Sequence, residues 1–457
     1  MFLTLFAAFA CMAVAATRTT DPPIAIVGAT VLDGTGRPPI QDAVVVIREG
    51  RILSVGARGH VTIPSDARRI DAYGKWMVPG LIDMHVHIDE VLTPGAFVLF
   101  GVTSVRDVGS NGTTMAALRG RAVQGEILPR LYWMGRNIDE GKPSWWGAVA
   151  VQGPSEVPAL LDAMQKEGVD GVKLYVRARP DVARAVIADA HRRHLPVTAH
   201  LHDTLPSVVA EMGIDNLEHV TTLFEELRTL PPNTPEGYHS SFVGISDVDL
   251  DSPKAQHFIQ ILNRHHVAIT PTLAVALLPV GGEQGALTTY GDWAAVPDGW
   301  RRFWNDPYWD FIATKGWTPQ DFERARLART KFMDLVKKLY KAGVPIIAGT
   351  DTPAPWVLPG AGLLAELQLL VEAGLTPSDA LQAATGHAAA VLHKSADVGT
   401  LRPGRYADLL LLDADPLTDI RNLHHISAIY MNGKQIDRSA LRKAFDAADP
   451  KAVKTGP

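Results

Sequence analysis

The strongest restriction on the fold comes from eight short apolar segments that end near polar residues and are mostly separated by helical patterns. Strands that alternate with longer helical stretches indicate βα units and a parallel sheet. Eight such units over roughly 270 residues match a (β/α)8 barrel, whose reactive groups lie at the carboxyl ends of the strands. The sequence therefore predicts an α/β fold with a TIM barrel over residues 80–395. The eight predicted strands are 81–87, 103–107, 130–135, 171–175, 196–200, 216–219, 267–270 and 345–351.

The stretches on either side of this region have a different pattern. Residues 22–79 and 396–440 read as short β segments with turn residues between them, as in "DAVVVIREGRILSVG" and "GRYADLLLLD". A polar tail, 441–457, follows them. Both ends of the chain are therefore predicted to flank the barrel with β structure.

One part of the barrel region, 274–330, is long for a βα loop and rich in tryptophan. We interpret it as a set of extra helices with buried aromatic anchors, and a lid that contacts substrate is the alternative. Its tryptophans are Trp293, Trp300, Trp304, Trp309 and Trp317.

The composition is that of an ordinary soluble enzyme. Of the 457 residues, 46% are hydrophobic and 20% are charged, which is enough apolar content for a large core. The net charge is −5 and no basic block is present, so nucleic acid is not expected as a partner. A small-molecule substrate is expected, and a homo-oligomer is left open.

The amino terminus resembles an export signal. An apolar stretch with no charged side chain before Arg18 is followed by small residues, and it is too short to span a membrane comfortably. We expect residues 1–16 to be a signal peptide and the protein to be periplasmic or secreted. The only cysteine, Cys11, lies inside this stretch, either removed with it or lipidated. A mature chain without cysteine would have neither disulfides nor thiolate ligands.

Two histidines stand at the end of the first predicted barrel strand, in "GLIDMHVHIDE". Side chains two residues apart in a strand lie on the same face, so His85 and His87 share a face. Two adjacent imidazoles can hold one metal ion, although such a pair alone can equally be a surface feature.

Further candidate ligands end other predicted strands: Lys173 the fourth, His200 the fifth, His219 the sixth and Asp351 the eighth. Taken singly, each could be a solvated residue or a helix cap. Barrel closure would place all of them on one rim around one pocket. Together they therefore indicate a metal site.

The motifs that carry these residues resemble the amidohydrolase superfamily in order, over roughly residues 24–436. They are "VPGLIDMHVH", "GVTSVRDVG", "GVKLY", "VTAH", "NLEHV", "AGTD" and "LRPGRYADLLLLD". The stretch "GLLAELQLLVEAGLTPSDALQAATGHAA" resembles the branch that contains imidazolonepropionase-like proteins and bacterial prolidases. The resemblance implies a barrel accompanied by a small β-sandwich domain, which would be built from 22–79 and 396–440.

The resemblance also implies a binuclear metal centre. Lys173 stands where the family has a lysine carbamylated by CO2, and a carbamate can bridge two cations whereas an ammonium cannot. His85, His87 and Asp351 would hold one ion, and His200 and His219 the other. Imidazole and oxygen ligands suit Zn²⁺ and also accept Mn²⁺, Co²⁺ or Ni²⁺.

In such a centre, a bridging hydroxide attacks the amide carbonyl, and Asp351 passes a proton to the leaving amine. Tyr238 in "PEGYHS" is the candidate for binding the oxyanion or a substrate carboxylate. Arg136 and Asn137 follow the third strand and are candidates for binding a substrate carboxylate or amide. These three could also be ordinary loop residues. His202 has the same strand parity as His200, and we interpret it as a support for the ligand set.

The leading hypothesis is a metal-dependent hydrolase of amide bonds in small molecules, either a dipeptidase such as a prolidase or an N-acyl amino acid hydrolase. The alternatives are hydrolysis of cyclic amides or lactones, deamination of a heterocycle, and a non-catalytic scaffold. Mononuclear deaminases of the superfamily have a glutamate where Asp203 stands and lack the bridging lysine, so Lys173 favours amide hydrolysis. Scaffold members have lost ligands, and none is missing from this sequence.

Overall fold

The structure is a computed structural model, and it describes residues 21–88, 91, 93–145, 147–229, 242–277, 296–307, 309 and 317–448. The predicted signal peptide, Tyr238 and much of the tryptophan-rich segment lie outside the described residues.

The strands are β1 Ile24–Val31, β2 Ile40–Arg48, β3 Arg51–Ala57, β4 Arg68–Asp71, β5 Trp76–Pro79, β6 Leu81–Val86, β7 Val102–Asp107, β8 Arg130–Trp133, β9 Ile138–Glu140, β10 Val149–Val151, β11 Val172–Leu174, β12 Val197–Ala199, β13 Asn216–Glu218, β14 Ala268–Thr270, β15 Leu409–Leu412, β16 Ile426–Met431 and β17 Lys434–Gln435.

The helices are α1 Ala96–Leu99, α2 Gly112–Val123, α3 Val157–Glu167, α4 Pro180–Arg192, α5 Pro206–Glu211, α6 Val220–Leu227, α7 Pro253–Arg264, α8 Leu273–Ala276, α9 Asp298–Trp304, α10 Pro319–Lys341, α11 Ala361–Glu372, α12 Pro377–Ala383, α13 Gly386–Val391 and α14 Arg438–Asp446. Short 3-10 helices cover Pro154–Glu156 and Ile420–His424. Among the described helices, none is long and apolar enough to cross a membrane.

The middle of the chain forms two parallel sheets, and the fold is therefore mixed α/β, as predicted. One sheet has the order β6-β7-β8 and the other the order β10-β9-β11-β12-β13-β14. An observed parallel strand overlaps each of the first seven predicted strands. The eighth predicted strand, 345–351, is wrong, because this segment makes only single bridges, from Ile346 to Ile269 of β14 and from the following Thr352 to Val86 of β6. The φ of 63° at Asp351 interrupts regular strand pairing at its end.

Most residues of the parallel strands are buried, as expected for strands covered on both faces, and they include polar side chains such as Asp83 in β6 and Arg106 in β7. All six residues of β6 are buried, and the same is true of β7. Helices pack against these strands through an apolar face, as α4 does with Val182, Val186 and Ile187. This packing leaves the polar residues at the ends of the strands to form a site.

The two ends of the chain contribute strands to one eight-stranded sheet, as the β patterns predicted. Its order is β17-β16-β15-β5-β1-β2-β3, with β4 beside β1. The ends meet where β15 pairs antiparallel with β5, and Leu409 lies opposite Pro79. Asp408 just before β15 also accepts a hydrogen bond from Nε of Arg130 in β8 at 2.6 Å, which ties this sheet to the parallel strands.

The predicted polar tail begins inside a helix. Leu441 and Phe445 of α14 are buried, and the ring of Phe445 lies 5.8 Å from that of Phe100. Part of the tryptophan-rich segment is helical. It includes α9, in which Trp300 and Trp304 are buried. For its described part, this agrees with the interpretation of aromatic anchors.

Candidate metal centre

The first part of the site is built by β6 and the segment after 345–350. The Nε2 atoms of His85 and His87 each lie 3.2 Å from Oδ1 of Asp351. Both imidazoles therefore reach one carboxylate from the same face of the strand, as their spacing predicts. Ligand atoms of His85, His219 and Asp351 all lie within 4.8 Å of one another.

Local backbone geometry allows this approach. Gly349 has no side chain, and a Cβ at its position would lie 2.9 Å from the backbone nitrogen of His85. The chain then turns at Asp351, which has a φ of 63°. His219, which follows β13, likewise has a positive φ of 65°. These left-handed conformations are uncommon for residues with a side chain and recur at functional sites.

The second part of the site comes from β11, β12 and β13. The ring of His219 lies 4.6 Å from that of His85 and 4.4 Å from that of His200, so the imidazoles form one continuous group. Lys173 in β11 is buried, with 1% exposure. Burial lowers the pKa of Lys173 to about 8, against the attraction of Glu218.

The residues present fit a divalent metal ion. Among the described residues, Nε2 of His85 is buried without a hydrogen-bond partner, although it faces Asp351. Burial lowers the pKa of His219 to about 3 and that of His200 well below its usual range, which keeps both rings neutral. Burial would raise the pKa of Asp351, but the nearby His85 and His87 outweigh it and hold that pKa well below its usual range. Neutral imidazoles around an ionised carboxylate are a donor set that a divalent cation accepts.

The opposite nitrogens of two of these rings are held by different partners. Nδ1 of His85 lies 2.8 Å from Oε2 of Glu218, and Nδ1 of His219 lies 2.8 Å from Oγ1 of Thr272. Ligating histidines are commonly oriented in this way through their second nitrogen. Both partners leave the Nε2 atoms to face the centre of the site.

Glu218 and Thr272 were not predicted from the sequence. Glu218 directly precedes His219, and strand alternation would place the two on opposite faces. Tyr175 was also missed; its ring stands edge-on to His200 at 5.4 Å. Position was the one available signal for two of them, since Glu218 and Tyr175 lie within two places of a predicted ligand. Thr272 lies two residues after β14 and had no such signal.

The remaining predicted residues occupy different places. Nε2 of His202 lies 3.3 Å from Nε2 of His200. Asn137 is 2% exposed, and its Oδ1 has no hydrogen-bond partner among the described residues. Arg136 donates hydrogen bonds to the carbonyl oxygens of Gly147 and Ala148 at 3.0 Å each. The structure thus leaves an unsatisfied acceptor at Asn137 and uses the Arg136 guanidinium within its own loop.

Comparison with known proteins identifies the family of the chain. A sequence profile of the amidohydrolase family matches residues 76–436. The chain is 26% identical over 405 residues to the imidazolonepropionase of Symbiobacterium thermophilum, which covers 82% of this chain and 84% of that protein. It is 22% identical over 480 residues to the ochratoxinase of Aspergillus niger, which covers 90% of this chain and 85% of that protein.

Among solved structures, a Xaa-Pro dipeptidase with methionine bound in its active site shares the fold, with a TM-score of 0.67 and 20% identity. The match covers 91% of this chain and 100% of the other. The family profile extends over most of the chain and includes every described candidate ligand. The chain therefore belongs to the amidohydrolase family.

Proposed function

We propose that the chain is an enzyme that hydrolyses amide bonds of small molecules with the help of divalent metal ions, and that dipeptides and N-acyl amino acids are its substrates. The observation that carries this proposal is the convergence of His85, His219 and Asp351 on one point, with ligand atoms within 4.8 Å of one another. Family membership supports action on a carbon–nitrogen bond.

Two ions would be held by the strand-end residues. His85, His87 and Asp351 would bind one, His200 and His219 the other, and Lys173 would bridge them as a carbamate formed with CO2. Zn²⁺ fits nitrogen and oxygen donors best, and Mn²⁺, Co²⁺ or Ni²⁺ would also be accepted. When bound, the ions would polarise the scissile carbonyl and make water a better nucleophile.

The protein groups have distinct roles in this proposal. Asp351 takes a proton from the attacking water and delivers it to the nitrogen of the leaving amine. Asn137 binds the substrate through its unsatisfied Oδ1, which can accept a hydrogen bond from an N–H group. His202 supports His200, whose Nε2 lies 3.3 Å away. Tyr238 is retained as the candidate for holding the oxyanion or the substrate carboxylate, with Arg136 as a further candidate for the carboxylate.

The proposed architecture places these groups at one end of a barrel. We propose that the two parallel sheets and the 345–351 segment close a (β/α)8 barrel, and that the eight-stranded sheet belongs to a β-sandwich domain. Support comes from the bridges that join 345–352 to β14 and to β6. The carboxyl ends of barrel strands are where enzymes of this architecture carry their active sites.

The substrate class is supported by what the similar proteins act on. The relatives include an imidazolonepropionase and an ochratoxinase, and a structural neighbour is a Xaa-Pro dipeptidase. The buried Lys173 beside the histidines favours the binuclear arrangement used for amide hydrolysis.

The test is a library of dipeptides and N-acyl amino acids, incubated with metal-loaded protein and assayed for released amine. His87→Ala serves as the matched inactive control, because it removes one imidazole from the rim of the site. We expect release from several members with the wild type and none with the variant. No release from any member, with the metal content verified, would contradict the proposal.

We further propose that residues 1–16 are a signal peptide and that the mature enzyme is exported. The motive is the apolar stretch followed by Ala13, Ala15 and Ala16. Fractionation of expressing cells with amino-terminal sequencing tests it. An intact Met1 on protein in the cytosolic fraction would contradict export.

A further inference from the structure

The imidazole of His85 is held from behind by a buried carboxylate. Oε2 of Glu218 lies 2.8 Å from Nδ1 of His85, and Glu218 is 0% exposed. An ionised carboxylate only accepts hydrogen bonds, so Nδ1 of His85 must carry the proton. In the neutral ring that would bind a metal ion, the lone pair is then on Nε2, the atom that faces Asp351.

Glu218 is in turn held by two further buried side chains. Nη2 of Arg106 and Oγ1 of Thr198 both donate hydrogen bonds to Oε1 of Glu218. Arg106 is 2% exposed, and its Nε donates to the carbonyl oxygen of Met84, next to His85. Each oxygen of the carboxylate therefore has a separate task, since Oε1 is anchored by Arg106 and Thr198 while Oε2 contacts His85.

Such a buried ion pair is weak evidence for a role in stability. Removing two charges from water costs several kcal/mol per ion, and apolar replacements of similar volume are often neutral or stabilising. The contact between Oε2 of Glu218 and Nδ1 of His85 indicates a different role for the Arg106–Glu218 ion pair. The arrangement orients an imidazole whose second nitrogen belongs to the candidate metal centre.

His219 provides the internal comparison. Its Nδ1 contacts the neutral hydroxyl of Thr272 at 2.8 Å, whereas Nδ1 of His85 contacts a carboxylate. A carboxylate fixes the tautomer of a histidine and raises the basicity of its ligating nitrogen. A hydroxyl can both donate and accept, so it imposes the tautomer less strictly.

We infer that Glu218 is a positioning residue that fixes the tautomer and orientation of His85 for metal binding, and that Arg106 anchors Glu218 in this role. This inference rests on the proposed function, because it requires that the centre binds metal. Arg106 lies in β7 and Glu218 in β13, so both strands would contribute to metal affinity through residues that are not themselves ligands.

The test compares the dissociation constant for Zn²⁺ in the wild type and in Glu218→Gln, by competition with a chromogenic chelator. A glutamine can present its NH2 group to Nδ1 and stabilise the wrong tautomer. We expect about 10- to 100-fold weaker binding of Zn²⁺, the range typical when such a partner is lost. The visible absorption spectrum of the Co²⁺-loaded variant should change as well, because the ligand field depends on how His85 is held.

The matched control is Asp408→Asn. Asp408 is also a buried carboxylate that accepts hydrogen bonds from an arginine, but Arg130 begins β8, whereas the candidate ligands lie at the carboxyl ends of the parallel strands. This variant should lose stability by a comparable mechanism and keep its affinity for Zn²⁺. Equal losses of affinity in both variants would show that general destabilisation explains the result, and would overturn the inference.

A double variant covers the case in which Glu218→Gln folds poorly because Arg106 is left without its partner. Glu218→Gln with Arg106→Met removes both charges, and we expect the fold to recover while Zn²⁺ affinity stays low. Recovery of wild-type affinity in the double variant would overturn the positioning role. If the wild type itself binds no divalent metal, the proposed function fails, and that result is distinct from either outcome for Glu218.

Discussion

Oδ1 of Asp351 lies 3.2 Å from Nε2 of His85, although these two residues belong to segments far apart in the sequence. The contact exists because 345–351 lies directly beside β6, with the backbone N–H of Asp351 donating to the carbonyl oxygen of His85 at 2.8 Å. One carboxylate thus meets the strand that carries both histidines of the His-x-His motif. This relationship gives Asp351 two proposed tasks, metal ligand and proton carrier.

Replacing Asp351 with asparagine separates these tasks from a purely structural role, since the next helix begins only at Ala361 and Asp351 caps none. Asparagine keeps the size and one ligating oxygen but cannot act as a base. We expect kcat on a substrate found in the library to fall by about 10²- to 10⁴-fold, with little change in the melting temperature. If Asp351 only shaped the turn, asparagine, which also adopts a positive φ readily, would serve equally well and kcat would stay near that of the wild type.

Replacing Lys173 with alanine should remove activity and the second metal ion while the fold is kept. The reason is that, in the proposed centre, Lys173 would bridge the ions only as a carbamate, and alanine supplies no ligand. Acetate or bicarbonate should restore part of the activity by occupying the space that the side chain leaves. The metal content of the variant is measured by elemental analysis, and its turnover is measured with and without these anions. Near-normal turnover of the variant without them would contradict the bridging role of Lys173.

The purified protein should contain about two divalent ions per chain, because the proposed ligand set would hold two. Removal of the ions with a chelator should lower the melting temperature, since an ion that binds only the folded state at 100 times its Kd adds about 2.7 kcal/mol of stability. Calorimetry before and after reloading checks this. A single ion per chain after growth in supplemented medium would favour the mononuclear arrangement of deaminases.

Glu366 should make stability depend on pH. It is 0% exposed in α11 and accepts hydrogen bonds from the backbone N–H groups of Leu273 and Ala274 at 3.0 and 2.7 Å. Burial raises the pKa of Glu366 from 4.5 to about 8, although both N–H groups oppose the rise. A folded pKa above the unfolded one means that the stability contribution is full below pH 4.5 and is lost as the pH rises through about 8.

Glu366→Gln removes this titration. The free energy of unfolding of the wild type should therefore fall relative to the variant, by at most roughly 1.4 kcal/mol per pH unit within that window. Urea unfolding of both proteins at several pH values measures the difference, and other titrating groups cancel in it. Two stability curves that run parallel between pH 5 and pH 8 would contradict the assigned pKa.

Seven of the eight strands predicted within residues 80–395 were found because each is a short, mostly apolar segment that ends near polar residues. Leu81–Val86 is buried along its whole length, although it includes Asp83 and His85, and His85 belongs to the site. The shared face of His85 and His87 also follows from strand geometry alone. Family membership was predicted from the same motifs and is confirmed.

Glu218 shows why the rest was not predictable. Alternation along a strand would separate Glu218 from His219, yet both contact the imidazole of His85. The φ of 65° at His219 ends the alternation of strand faces at that residue, and the sequence "NLEHV" contains no signal that predicts this.

The pairing of β15 with β5 sets an order of events during synthesis. Strands β1 to β5 leave the ribosome early, but the partner that covers β5 on one side, with Leu409 opposite Pro79, is made only after residues 80–408. Until then β5 presents an unpaired edge that could join a second nascent chain. The intervening residues can gain their local contacts first, since non-local pairing is slow to form. The amino-terminal strands are therefore made first and completed last, and the β5 edge stays exposed for most of the synthesis of this enzyme.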